Sequence, residues 1–271
     1  MIVENQPMQE YLDNEGIGSS QLKNMLTMSP MDYLYSLKEK SKDTRSTMLG
    51  TYIHTYMLER HLMESEYMIQ PEDWGSLAKN PGRAKWTEFK KQAEEQGKKA
   101  IKYADGEFAL KLDEQMQEHG ELKNILSKAK AEVSFYAEID GIKLKSREDL
   151  YCEADGSVWD VKSISKDIDD ESLAKAIFDN GYHFAAAHHI NVMRAAGATV
   201  NSWGWIFVAT KTPVPHIIIK KASNDLLDAG MNDWNHAFNL LKECTKTNCW
   251  PGYSDEIEEI GLPEWVERKY Y

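Results

Sequence analysis

The sequence predicts an α/β fold, a mixed central β-sheet flanked by helices with a helical N-terminal part. Three observations predict it. The hydrophobic period is helical up to about residue 130 and becomes alternating at residue 131. Helix-like and strand-like segments then follow in the order α-β-β-β-α-β-α, the order of a layered mixed-sheet domain. The 271 residues are 42% hydrophobic and 28% charged, enough to bury a sizeable core and too apolar for a disordered chain. A single domain is expected, mainly helical over 1–130, α/β over 131–245 and irregular over 246–271.

Ser19 and Ser20 can cap a helix running to Met28, with Leu22, Met25 and Leu26 on one face. Ser29-Pro30 starts a second helix, because proline suits the first helical position. A charged loop from Lys38 to Arg45 precedes TMLGTYIHTYMLER (47–60), where Leu49, Ile53, Met57 and Leu58 recur at helical spacing. Basic Arg60 and His61 suit the negative end of that helix. Asn80-Pro81-Gly82 marks a loop, and helix formers dominate from Ala84 to Lys128 with breaks near Gly97 and Gly120. Strands 131–139 and 142–151 flank Asp140-Gly141, a pair that supplies the positive φ angles of a tight hairpin. The turn Glu153-Ala154-Asp155-Gly156 leads to a third antiparallel strand, SVWDVKSI (157–164). Helices at 170–179 and 182–196, strands at 202–210 and 216–222, and a helix from Asn224 to about Cys244 complete the core. Pro251, Gly252 and Pro263 argue against regular structure in the tail.

No apolar run approaches the roughly 18 residues of a membrane span, and the N-terminus MIVENQPMQE lacks a basic stretch followed by an apolar one. Three cysteines, Cys152, Cys244 and Cys249, without a CxxC pair, argue against a disulfide framework and a zinc site. A cytoplasmic protein is expected. The net charge of −12 disfavours a polyanionic partner. It does not exclude one, because exposed charges farther apart than about 8 Å are screened at physiological salt and a local basic groove can still bind phosphates.

Asp160-Val161-Lys162 places a carboxylate and an ammonium on one side of a strand, a pairing that metal-assisted phosphodiester hydrolysis uses. The pattern alone has no power: Glu88-Phe89-Lys90, Glu121-Leu122-Lys123 and Glu267-Arg268-Lys269 share it. Context separates Asp160, which sits in an apolar strand where a charge needs a partner or a metal. Asp149 lies on the preceding strand, and the intervening turn folds the two side by side. The alternative is an exposed cross-strand ion pair with Lys162, which these residues taken alone favour. His54, near Gly50 and Glu59 on its helix, is a third candidate, although a lone histidine there is more often packed or solvated. His188 and His189 rank lower, since consecutive helical side chains point about 100° apart.

The segments SSQLKNMLTMSPMDYLYSL, TMLGTYIHTYMLE, SREDLYCEADGSVWDVKSISKD, FDNGYHFAAAHHINVMRAAG and CWPGYSDEIEEIGLPEW occur in an order that resembles the exonuclease VIII (RecE-type) branch of the PD-(D/E)XK nuclease superfamily. The resemblance is weakest over 62–130. It implies a restriction-endonuclease-like core and a magnesium-dependent exodeoxyribonuclease, with Mn²⁺ able to substitute. Such an enzyme degrades linear double-stranded DNA from its ends, 5′ to 3′, and supplies single strands to a single-strand annealing recombinase. It implies a homo-oligomer, ring-shaped in form, without membrane association. Carried over by position, His54, Asp149, Asp160 and Val161 are metal positions and Lys162 is the catalytic lysine. Glu132 is the acidic residue of the preceding strand, and Tyr182 the aromatic that opens the following helix.

Two departures accompany the resemblance. Family members commonly carry Gln three residues after that Tyr and Tyr four residues beyond, where this chain has Ala185 and His189. Related branches bind an iron-sulfur cluster through four cysteines, one before the core, and no cysteine here precedes Cys152. A different nuclease of the same superfamily, or a catalytically weakened DNA-end-binding protein, are the alternatives.

Overall fold

The computed structural model describes residues 1–38, 45–165, 167–212 and 214–270. The interior of the predicted charged loop, 39–44, lies outside them. The strand β1 (Ile2–Val3) and helices α1 (Met8–Asp13), α2 (Ser19–Thr27), α3 (Pro30–Ser36) and α4 (Arg45–Leu58) open the chain. Next come α5 (Met63–Glu66), β2 (Tyr67–Ile69), α6 (Gly82–Glu95), β3 (Lys99–Ile101), α7 (Tyr103–Glu118) and α8 (Gly120–Lys128). The strands β4 (Lys130–Ile139), β5 (Ile142–Cys152) and β6 (Ser157–Ile164) follow, then α9 (Asp170–Asp179), α10 (Tyr182–Ala195), β7 (Ser202–Ala209), β8 (His216–Lys221), α11 (Asn224–Thr247) and α12 (Glu264–Tyr270).

Six strands form one sheet in the order β1-β4-β5-β6-β7-β8. Within this sheet, among the described residues, only β6 and β7 run parallel, joined by α9 and α10, and every other neighbour is antiparallel. This is the predicted mixed α/β sheet. Asp140 and Gly141 take φ of 49° and 80°, the double positive φ that a two-residue hairpin needs, and set Ile139 opposite Ile142. One face of the sheet buries Phe135, Leu144, Trp203, Trp205 and Phe207 with Phe184 and Ile190 of α10 and Phe238 of α11. The opposite face buries Leu150, Val161, Ile206 and Val208 against Ile53 of α4, Leu112 of α7 and Leu122 of α8.

Differences from expectation are local. Gly18 rather than Ser19 occupies the cap of α2, its N–H donating to Gln21 Oε1 at 3.0 Å, and Ser19 is already helical. Ser29 does cap α3. β1 and α1 arise from a segment without a clear period, while β2 and β3 pair parallel as three-residue strands too short to alternate visibly. The tail closes on the short helix α12, which Pro263 precedes and therefore does not interrupt.

Candidate active site

The strands β5 and β6 pair only from Cys152↔Ser157 to Leu150↔Trp159, whereas β6 continues beside β7 as far as Ile164. Beyond Leu150 the sheet therefore forks, with Asp149 and Asp160 at the fork. There the Val161 N–H, without a β5 backbone partner, donates to Asp149 Oδ2 at 2.7 Å. Because the amide is a donor, it cannot ligate a cation. The Val161 side chain is buried in the core, which leaves only its carbonyl oxygen for the metal role expected of it.

Alternation fails beside the fork. In a regular strand Ala131 and Val133 share a face, yet Ala131 packs with the α4 side and Val133 with the α10 side. The same switch separates Leu150, on the α4 side, from Glu148, which meets His189 of α10. Between them Glu132 adopts φ 56°, a left-handed conformation that few residues with a Cβ take. The break aims Glu132 and Asp149 at His54.

His54 reaches them because α4 lies close on β6: a Cβ on Gly50 would stand 3.0 Å from Ser163 Oγ. Its Nε2 is 3.0 Å from Asp149 Oδ1 and its Nδ1 3.3 Å from Glu132 Oε1. One ligand atom from each of His54, Glu132 and Asp149 lies within 4.8 Å of the others. Burial opposes charge on His54, but Asp149 and Glu132 outweigh it and push the imidazole up to about 9. For Asp149, burial is outweighed by His54, Lys162 and the Val161 N–H, which hold it well below the usual carboxylate range. Burial raises Glu132. Its Oε2 accepts from Arg147 Nε, while its buried Oε1 makes no hydrogen bond. Arg147 also lies 3.8 Å from Glu59 and donates to Gln6 O.

Asp160 and Lys162 project from β6 toward α10, outside that compact group of three. Lys162 Nζ donates to Asp160 Oδ1 at 2.6 Å and lies 5.4 Å from the ring centroid of Tyr182. Burial, with Asp149 nearby, raises Asp160 to about 6 even though Lys162 pulls it down. Asp160 and Asp149 in turn raise Lys162 against burial, so it stays protonated. The Lys162–Asp160 ion pair thus lies at the fork, with 27% and 12% of its side chains accessible, and not on an exposed strand.

All six side chains singled out from the sequence, His54, Glu132, Asp149, Asp160, Lys162 and Tyr182, meet at the fork. His189, ranked lower from the sequence, joins them, and so do Arg147 and Glu148, which the sequence reading did not single out. The available signal was the polar run Ser146-Arg147-Glu148-Asp149 within an apolar strand, buried over 146–148. His188 instead faces the core, accepting from Trp234 Nε1 at Nδ1 and donating from Nε2 to Lys145 O. Burial, aided by His189, lowers it to about 3 and keeps it neutral.

The donor set suits a hard divalent cation: two carboxylates and one imidazole, with one of the carboxylate oxygens, Glu132 Oε1, buried and lacking a hydrogen bond among the described residues. A family model described as a PDDEXK-like domain of unknown function (DUF3799) matches residues 18–263. The fold is similar to that of a protein from Eubacterium rectale named "Putative exonuclease", at a TM-score of 0.63 and 13% identity over 98% of each chain. A phage related exonuclease from Haemophilus somnus is matched at a TM-score of 0.34 and 14% identity, over 89% of this chain and 100% of that one. No curated protein matches the sequence.

Proposed function

The chain belongs to the family of PDDEXK-like domains described as DUF3799, and from that membership we propose that it is a magnesium-dependent exodeoxyribonuclease acting on linear double-stranded DNA. One observation carries the reading: His54, Glu132 and Asp149 bring ligand atoms within 4.8 Å of one another beside the protonated Lys162. His54, Glu132 and Asp149 would hold the cation, which when bound supplies Lewis-acid polarisation of water and phosphate oxygens. Arg147 offsets the charge of Glu132 and fixes its second oxygen. Asp160 anchors the Lys162 ammonium under the Tyr182 ring, so a positive charge faces the place where an anionic phosphorane develops. No helix among the described residues is long and apolar enough to cross a membrane.

End-labelled linear duplex, with a covalently closed circle as control, tests the reading. Mg²⁺-dependent shortening of the linear DNA from its ends, in the 5′-to-3′ sense, with the circle intact, is the expected result. Nicking of the circle would make the protein an endonuclease of the same superfamily. Binding of ends in EDTA without degradation in Mg²⁺ would make it an end-binding protein, the reading that Ala185, half-buried on the α10 face that carries Tyr182, keeps in view.

A further inference from the structure

Helix α10 is buried along most of its length, yet Tyr182, Ala185 and His189, spaced three and four residues apart, are partly accessible. That stripe lines the fork. His189 Nδ1 lies 2.8 Å from Glu148 Oε2, and Ser146 Oγ donates to Glu148 Oε1 at 2.6 Å. The Glu148 side chain is wholly buried, while that of His189 keeps 15% of its surface accessible. The imidazole also stands edge-on to Trp203, with ring centroids 5.6 Å apart. Carboxylate and indole together fix the ring, and among the described residues no hydrogen bond engages Nε2.

A fully buried carboxylate costs stability unless a cation or donors satisfy it. Here the satisfying group is an imidazole that keeps 15% of its side-chain surface accessible at the fork and whose proton affinity Glu148 and Asp160 raise against burial. The other nearby cations are committed: Lys162 to Asp160, Arg147 to Glu132 and His54 to Asp149.

We propose that His189, oriented by Glu148, donates from Nε2 to a phosphate oxygen of the bound nucleic-acid strand, which makes it a substrate-contact residue and Glu148 a positioning residue. This rests on the nuclease reading above and adds the ligand class, a phosphodiester anion, that the α10 side of the fork recognises. Such a contact is charge-assisted and directional.

The test measures binding of a short linear duplex by anisotropy in Ca²⁺, with thermal unfolding and Mg²⁺ titration of the same proteins. His189→Ala should weaken binding about tenfold or more while Mg²⁺ affinity stays at the wild-type value. His189→Gln, which keeps a donor, should recover part of the loss. Replacing phosphates near the duplex end one at a time with neutral methylphosphonates should identify one position where wild type loses affinity and His189→Ala loses nothing further. Glu148→Gln still accepts from Nδ1 but provides no counter-charge, so binding should fall part-way with little change in unfolding. Wild-type cleavage together with unchanged binding by His189→Ala, or equal losses at every methylphosphonate position, overturns the inference and leaves the nuclease reading standing. A wild type that neither binds nor cleaves DNA overturns both.

Discussion

At the level of single residues, the fork keeps opposite charges in contact, and protonation decides how they behave. Lys162 cannot be a metal ligand while protonated, so its contribution belongs to the transition state. Lys162→Met should lower turnover at least about a hundredfold while calorimetric Mg²⁺ affinity stays near wild type. Equal collapse of both would give the lysine a structural role as the counter-ion of Asp160. The proton on His54 makes a second prediction. Its folded value, about 9, exceeds the ordinary 6.5, so its stabilisation is fully present below pH 6.5 and is lost as pH rises through 9. Asp160 has the same sign lower down: raised from 3.8 to about 6, its stabilisation is fully present below pH 3.8 and is lost as pH rises through 6, before that interval opens. In EDTA the unfolding midpoint should therefore fall between pH 6.5 and 9, and His54→Gln should flatten the fall. Because a cation must displace that proton to bind His54, apparent Mg²⁺ affinity should rise over the same window. A wild-type midpoint that climbs from pH 6.5 to 9 would contradict the doubly paired imidazole.

At the level of elements, the first chain segment is tied to the site by two buried cations. Lys145 Nζ donates to the carbonyls of Tyr11, Leu12 and Asn14, and Arg147 Nη1 donates to Gln6 O. Lys145 has no carboxylate partner among the described residues, and burial lowers its proton affinity, so these carbonyls stabilise its charge. Deleting residues 1–14, which precede the family match at residue 18, should cost more than about 2 kcal/mol in denaturant unfolding and weaken Mg²⁺ binding through Arg147 and Glu132. Wild-type behaviour on both counts would reduce the segment to an ornament of the edge strand. The same elements show what was legible in the sequence. The hairpin at Asp140-Gly141, the strand of Asp160 and the helix opened by Tyr182 stood out because turn chemistry and period coincide there. β1, β2 and β3 did not, being two or three residues long. The fork was half legible: pairing and spacing set Asp149 against Asp160, but nothing in the sequence marked Glu148 as a partner of α10, because the left-handed Glu132 breaks the two-residue period by which strand faces are read.

At the level of the whole molecule, the surface carries a net charge of −12 and yet leaves large apolar side chains in water. On α3, Met31, Leu34 and Tyr35 are exposed, as is Leu37 just beyond it. The tail begins against that helix, where Met31 N–H donates to Pro251 O and Trp250 stacks on Tyr33, and it then exposes Tyr253, Ile257 and Ile260 among Asp255, Glu256, Glu258 and Glu259. Monomers rarely leave contiguous apolar patches beyond about 300–600 Å² uncovered. An acidic exterior also repels DNA except where local cations are gathered, which favours an assembly that admits the substrate by its end into one enclosed region. The protein should therefore self-associate, and light scattering at working concentration should return a multiple of 31.1 kDa. Tyr35→Glu and Ile257→Glu each place a charge on an exposed apolar side chain outside the core, so each should shift the mass toward one chain while the unfolding free energy of the dissociated protein changes by no more than about 0.5 kcal/mol. If the assembly also confers end selectivity, the dissociated variants should keep Mg²⁺-dependent cleavage but shorten linear DNA in brief, interrupted runs. A single chain at every concentration, degrading long duplex without pause, would show that the apolar surface serves something other than self-association.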